Sequence, residues 1–118
     1  MQSGVTLFDW IYHYPLAVSV CDRKGIIIAM NHLAAENFTA WGGRALLGKS
    51  LFDCHPEAAN TVIRRMLEEE SANTYYTSNK GRRKLVHQCP WYNSNGEFAG
   101  LVETIVPMPA ETPAFERG

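Results

Sequence analysis

The run Leu16-Ala17-Val18-Ser19-Val20-Cys21-Asp22-Arg23-Lys24-Gly25-Ile26-Ile27-Ile28-Ala29-Met30-Asn31 decides the fold class. Leu16, Val18 and Val20 recur with the period of two that gives a strand one apolar face. Asp22-Arg23-Lys24-Gly25 then reads as a hairpin turn, with Gly25 supplying a positive φ. Ile26 to Met30 is β-branched and strand-like. Two strands joined this tightly pair antiparallel. Asn31 follows as the N-cap of a short helix from His32 to about Phe38.

Upstream of the hairpin, Val5 to Tyr14 fits a short amphipathic helix. Leu7, Ile11 and Tyr14 recur at i, i+4, i+7, and Val5, Phe8 and Tyr12 at i, i+3, i+7. Trp10 widens the apolar arc, Ser3 is the candidate N-cap, and Pro15 stops the helix. Downstream, Trp41-Gly42-Gly43 breaks the chain, and Arg44 to Leu47 makes at most one turn ending at Gly48. Asp53 or Cys54 precedes a longer helix with Pro56 in its first turn. Ala59, Val62, Ile63, Met66 and Leu67 form its apolar stripe, and Glu68-Glu69-Glu70 its solvated end. Thr74 to Ser78, Lys84 to Tyr92 and Phe98 to Val106 read as three strands, separated by turns at Asn79-Lys80-Gly81 and Asn93-Ser94-Asn95-Gly96. Pro107, Pro109 and Pro113 mark a tail, residues 107–118, that stays out of a sheet interior. The order predicts an α+β protein. It has a five-stranded antiparallel sheet, helices inserted between strands 2 and 3, and an N-terminal amphipathic helix over residues 1–15.

Composition narrows the function. At 118 residues the chain supports one domain with one modest core. The net charge of −1 lacks the basic excess of an electrostatic nucleic-acid binder, so no direct nucleic-acid contact is expected. No apolar run approaches the ~20 residues of a membrane helix, and no basic-then-apolar leader opens the chain. Three widely spaced cysteines, Cys21, Cys54 and Cys89, read as free thiols in a reducing cytoplasm. His13, His32, His55 and His87 stand singly, without metal-ligand spacing. Asp53-Cys54-His55 invites a triad, but neighbours on a helix point about 100° apart, so adjacency argues against contact. Cys54, at a helix start, is the expected reactive thiol. No phosphate-binding loop is present.

The layout and its details resemble the PAS domain family across residues 16–106. Leu16 to Asp22 with Gly25 is similar to the family's opening hairpin, and Asn31-His32-Leu33-Ala34-Ala35 to its N-x-A-A helix start. Leu46-Leu47-Gly48-Lys49-Ser50-Leu51-Phe52-Asp53 is similar to the stretch before its long helix, and Gly96-Glu97-Phe98-Ala99-Gly100-Leu101-Val102 to its closing G-x-x-x-G-x-v. Glu103-Thr104-Ile105-Val106 departs from the frequent D-I-T exit, which puts transmission to a downstream effector in question.

The resemblance implies a non-catalytic sensory module in signal transduction or transcription regulation. It implies an effector domain or a protein in trans as the recipient, whether the chain is a fragment of a larger regulator or stands alone. Leu51 stands where light sensors of the family carry their flavin-reactive cysteine, and the long helix lacks the histidine that holds haem in a subgroup. No cofactor or metal is therefore expected, and no visible absorbance. A redox or haem sensor using Cys54, His55 or Cys89 is one alternative, with Cys89-Pro90 a two-residue match to a haem-regulatory pattern. An interaction-only dimerisation module with its cavity packed shut is the other.

Laid on the family's pattern, with Pro90 and Gly100 as anchors, the last three strands turn Thr74, Tyr76, Val86, Gln88 and Val102 into a cavity. Phe38, Leu51, Ile63 and Met66 close it from the helical side. Gln88 must satisfy a donor and an acceptor. It bonds Tyr76 or Asn31, or it addresses a small, partly apolar ligand bearing a carbonyl, hydroxyl or carboxyl group. Leu85, His87, Cys89 and Trp91 fall on the outer sheet face, for which Val5 to Tyr14 is the natural cover. A homodimer built on Phe8, Ile11, Tyr12, Leu85 and Trp91 is expected.

Overall fold

The computed structural model describes residues 7–118. The candidate cap Ser3 and the helix residue Val5 lie outside the described residues. Helix α1 is Leu7–Tyr12. The hairpin strands are β1, Ala17–Asp22, and β2, Ile27–Met30. Helix α2, His32–Asn37, is followed by three 3-10 turns at Thr39–Trp41, Gly43–Leu46 and Leu51–Asp53. Helix α3 is Glu57–Glu69, and the strands β3, Asn73–Asn79, β4, Arg82–Tyr92, and β5, Phe98–Met108, complete the chain. The five strands form one sheet in the order β2-β1-β5-β4-β3, all neighbours antiparallel. The α+β layout with its helices between β2 and β3 is the one the sequence predicts.

Local chemistry explains the turns. Asp22 Oδ1 accepts from the backbone N–H of Lys24 and of Ile26, closing the first hairpin. Gly25 sits there at φ 83°, and a Cβ would fall 2.8 Å from the Phe52 ring. Asn31 caps α2, its Oδ1 accepting from Ala34 N at 3.1 Å. The same oxygen accepts from Val18 N at 3.0 Å, while Nδ2 donates to the carbonyls of Leu16 at 2.7 Å and Ile11 at 3.1 Å. One buried amide thus ties α1, β1 and α2 together. Lys80 and Gly81, both at positive φ, form a two-residue turn between β3 and β4.

The core fills the space between sheet and helices in two connected groups. Ala17, Ile27, Met30, Ala34 and Leu46 form one, and Cys21, Ile63, Met66 and Leu101 the other. On α3 the buried face is Asn60, Ile63 and Met66, whereas Val62 is 37% exposed. Asn60 takes a place in the core because its Nδ2 donates to Phe52 O at 3.0 Å, holding the preceding turn against α3.

Three expectations are corrected. Pro107 does not begin the tail: it pairs with Lys84, and β5 runs on to Met108. The ring is tolerated because the β1 pairing of β5 ends at Ile105, so no strand flanks Pro107 on that side. Leu16, Val18 and Val20 do not supply the core face of β1, since the buried residues are Ala17 and Cys21. Finally, α1 does not cover the outer sheet face. The Asn31 bond to Ile11 draws it to the start of α2, where the Tyr12 ring lies 6.0 Å from His32 and under the Arg44 guanidinium.

Candidate functional site

Register decides which side chains meet on the inner face of the sheet. Directly opposed residues share a face. Ser19 opposes Glu103, Glu103 opposes Gln88, and Gln88 opposes Asn73. A polar row therefore crosses four strands, β1-β5-β4-β3. On one side of it lies the row Cys21, Leu101 and Pro90, and on the other Ala17, Ile105, Val86 and Tyr75. The polar groups are wired in one direction. Asn73 Nδ2 donates to Gln88 Oε1 at 3.1 Å, and Gln88 Nε2 donates to Glu103 Oε2 at 2.7 Å. The short second bond is that expected of a carboxylate acceptor.

A cavity of about 330 Å³ lies between this face and the helices. That is near the lower end of small-molecule sites. Its apolar wall includes Ile27, Met30, Phe38, Leu51, Met66 and Leu101, and its polar wall Ser19, Gln88 and Glu103. Trp41, Cys54, His55 and Pro56 also line it, the tryptophan 63% exposed and His55 and Pro56 exposed too, which places the mouth there. Burial, aided by the charge of Asp22, pushes the Cys21 thiol up from its usual 9.0, against the opposing pull of its backbone bond with Leu101. Burial, followed by the charge of Glu103, pushes the Tyr75 hydroxyl up as well.

Of the nine residues predicted to line a ligand site, Phe38, Leu51, Ile63, Met66, Gln88 and Val102 surround this cavity. Val102 borders the cavity, but it opposes Cys89 and Val20, so its side chain belongs to the outer face. Val86 is buried on the inner face but stands beside the cavity, between Ile105 and Tyr75. Thr74 and Tyr76 are corrected outright. Thr74 opposes His87 and its hydroxyl meets His87 Nδ1 at 2.8 Å; Tyr76 opposes Leu85 and lies 54% exposed under Arg83. Both are on the outer face, so Gln88 bonds neither Tyr76 nor Asn31; its partners are Asn73 and Glu103. Those two, with Ser19, are the members of the polar row that sequence reasoning missed. The available signal was the two-residue Lys80-Gly81 turn, which places Asn73 opposite Gln88 by counting.

The outer face carries Leu85, His87, Cys89 and Trp91, all half-buried. Trp91 opposes Gly100 and its Nε1 donates to Cys21 O at 3.0 Å, so the indole spans β5 to reach β1. Phe8, Ile11 and Tyr12 are not brought to this face: Leu85 and Trp91 stand on β4, two strands in from β1. Cys54 and His55 turn back on their own loop. Cys54 Sγ donates to Ser50 O, and His55 Nδ1 contacts Leu51 O at 2.8 Å. Cys89 is on the opposite face of the sheet from both, and among the described residues no group of three His, Cys, Asp or Glu is placed to hold a metal ion.

A sheet in this order, with a capped helix and 3-10 turns enclosing a cavity, defines a PAS-fold domain. The PAS fold family model matches residues 12–110, and the chain belongs to that family. Solved structures share the architecture. A sensory box sensor histidine kinase from Vibrio cholerae is 16% identical, with 87% of this chain and 90% of that one covered and a TM-score of 0.62. The Vibrio cholerae Aer2 receptor, a dual PAS-heme oxygen sensor, is 14% identical over 80% and 95%, with a TM-score of 0.60. VqmA, bound to DPO, is 12% identical over 86% and 56%, with a TM-score of 0.67, and the Vibrio cholerae protein is also seen as a dimer. At these identities the likeness is one of fold. None of the curated proteins matches the chain in sequence. Among the described residues no helix is long and apolar enough to cross a membrane.

Proposed function

We propose that this PAS domain is a sensory module in signal transduction or transcription regulation, without a catalytic step of its own, that binds a small, partly apolar molecule in the cavity between sheet and helices. The observation that carries this reading is the 330 Å³ cavity with apolar walls and one polar row. Apolar walls supply affinity and a few fixed polar groups supply orientation. The interaction-only reading requires a packed-shut cavity with Gln88 and Tyr76 bonded to each other, and these two lie on opposite faces. The sensor passes its state to an effector domain or to a protein in trans, in the cytoplasm.

Native mass spectrometry of the protein purified from cells tests the reading through an adduct of defined mass. Gln88→Leu removes one bond to Glu103 and one from Asn73 without crowding the cavity. With the Glu103 carboxylate no longer held in place by Gln88, ligand affinity should fall about threefold to tenfold while the circular dichroism spectrum is retained. Unchanged affinity would move the site to the outer face with Trp91.

The domain acts as a homodimer through α1. Phe8 is 78% and Trp10 48% exposed on a helix of only two turns, an apolar surface that a second copy would cover. Sedimentation equilibrium should show a dimer that weakens on deleting residues 1–14. A dimer of unchanged strength would place the interface elsewhere.

A further inference from the structure

We infer that the cavity selects a ligand whose polar end is an N–H donor or a cation, in particular a protonated amine on a single apolar ring or short chain, and rejects carboxylates. The inference rests on the cavity being the ligand site and names the chemistry that site would read. It follows from the direction of the polar row. Asn73 donates to Gln88, and Gln88 donates to Glu103, so the chain of donors ends on an acceptor at the cavity wall. The Gln88 amide cannot turn its oxygen inward without losing both bonds. A carboxylate has about four lone-pair sites. Gln88 occupies one of them, and Glu103 has no salt-bridge partner among the described residues.

The rest of the lining does not balance that charge. Among the described residues no Lys or Arg borders the cavity. The one ring able to carry positive charge among the described lining residues is His55, exposed at the mouth with Nδ1 on the Leu51 carbonyl. The Ser19 hydroxyl stands beside Glu103 in register and can accept a second N–H. A ligand ammonium placed between Ser19 and Glu103 would complete the row, with its apolar part against Leu101, Met66 and Met30. A ligand carboxylate at the same place would set two anions against each other in a confined, weakly screened space. Of the polar ends expected from sequence, a hydroxyl therefore fits as a donor, and a carbonyl or a carboxylate, which only accept, does not.

Three probes that share a phenylethyl group and differ in the charge of the polar end test this: 2-phenylethylamine, 2-phenylethanol and 3-phenylpropionate. Methionine methyl NMR reports on the cavity through Met30 and Met66, and Met108, which does not line it, serves as an internal control. Wild-type protein should bind the amine most tightly, the alcohol more weakly, and the carboxylate not measurably. Glu103→Gln should weaken the amine about tenfold or more, the loss expected for a charged hydrogen bond, and should bring the carboxylate into range. Equal binding of all three probes to the wild type would overturn the inference and leave the cavity a binding site. No perturbation of Met30 or Met66 by any probe would overturn both readings. The comparison on wild-type protein decides the point even if the variant fails to fold.

Discussion

Gly100→Ala should unfold the domain or bring its stability close to zero. Gly100 lies at φ 147°, a conformation that side chains rarely adopt. An added Cβ would fall 1.9 Å from the Cys21 carbonyl oxygen and 2.8 Å from its carbon. These are backbone atoms of the neighbouring strand and cannot swing aside. Relief requires β1 and β5 to separate where Asp22 opposes Gly100 and Cys21 opposes Leu101, which opens the core beneath. Backbone strain and overpacking together cost about 4 kcal/mol or more, against a total stability of about 5–15 kcal/mol for a domain. Urea denaturation followed by circular dichroism measures the loss. A wild-type midpoint would mean that β1 can yield at this point without disturbing the core.

Asn31→Ala should cost about 3 kcal/mol, the sum of a lost cap and of buried groups left without partners. The substitution strips the acceptor from Val18 N and Ala34 N and the donor from Leu16 O and Ile11 O. Asn31→Asp separates the two halves of the effect. It keeps both acceptor bonds and loses the donor bonds to Ile11, Tyr14 and Leu16, so α2 stays capped while α1 comes free. Hydrogen exchange should then quicken at Trp10 to His13 and remain slow at Ala34 and Ala35. Equal loosening of both helices in Asn31→Asp would show that the amide does not act as two separable contacts.

How far the sequence could be read depended on what marks phase. The first hairpin was legible because Asp22 and Gly25 are turn chemistry, and Asn31 because it is a cap followed by Ala34 and Ala35. Gln88 and Val86 sit on a strand whose turn-proximal part is charged, which leaves few choices of face. β3 offered no such mark. Thr74, Tyr75, Tyr76 and Thr77 put one aromatic and one hydroxyl on each face, so alternation was visible and its phase was not. In β5 the error has a different source. The pairing jumps between Trp91 and Tyr92, where Tyr92 opposes Phe98 and Trp91 opposes Gly100, leaving Ala99 as the extra residue. Placing the hairpin on Pro90 and Gly100 as anchors without this bulge turns Val102 inward and hides Glu103. In the sequence, the carboxylate at the cavity wall therefore shows only as a departure from a terminal motif. The position of α1 was hidden for a third reason: a broad apolar arc says that a helix is covered, and the hydrogen bond that chooses its neighbour belongs to Asn31, twenty residues away.

The staggered ends of the sheet bear on solubility. Past Gln88, β4 has no β3 beside it, and past Ile105, β5 has no β1 beside it. Each uncovered length is an invitation to a foreign strand, and each contains a proline, Pro90 in one and Pro107 in the other. A proline offers no N–H to an incoming chain and its ring obstructs a close approach. β2, at the opposite margin, is only four residues long, and the bridge from Ile26 to Ser50 occupies its start. Lateral growth from one molecule to the next is thereby blocked at three of the places where a five-stranded sheet would otherwise be open to fibril-like stacking.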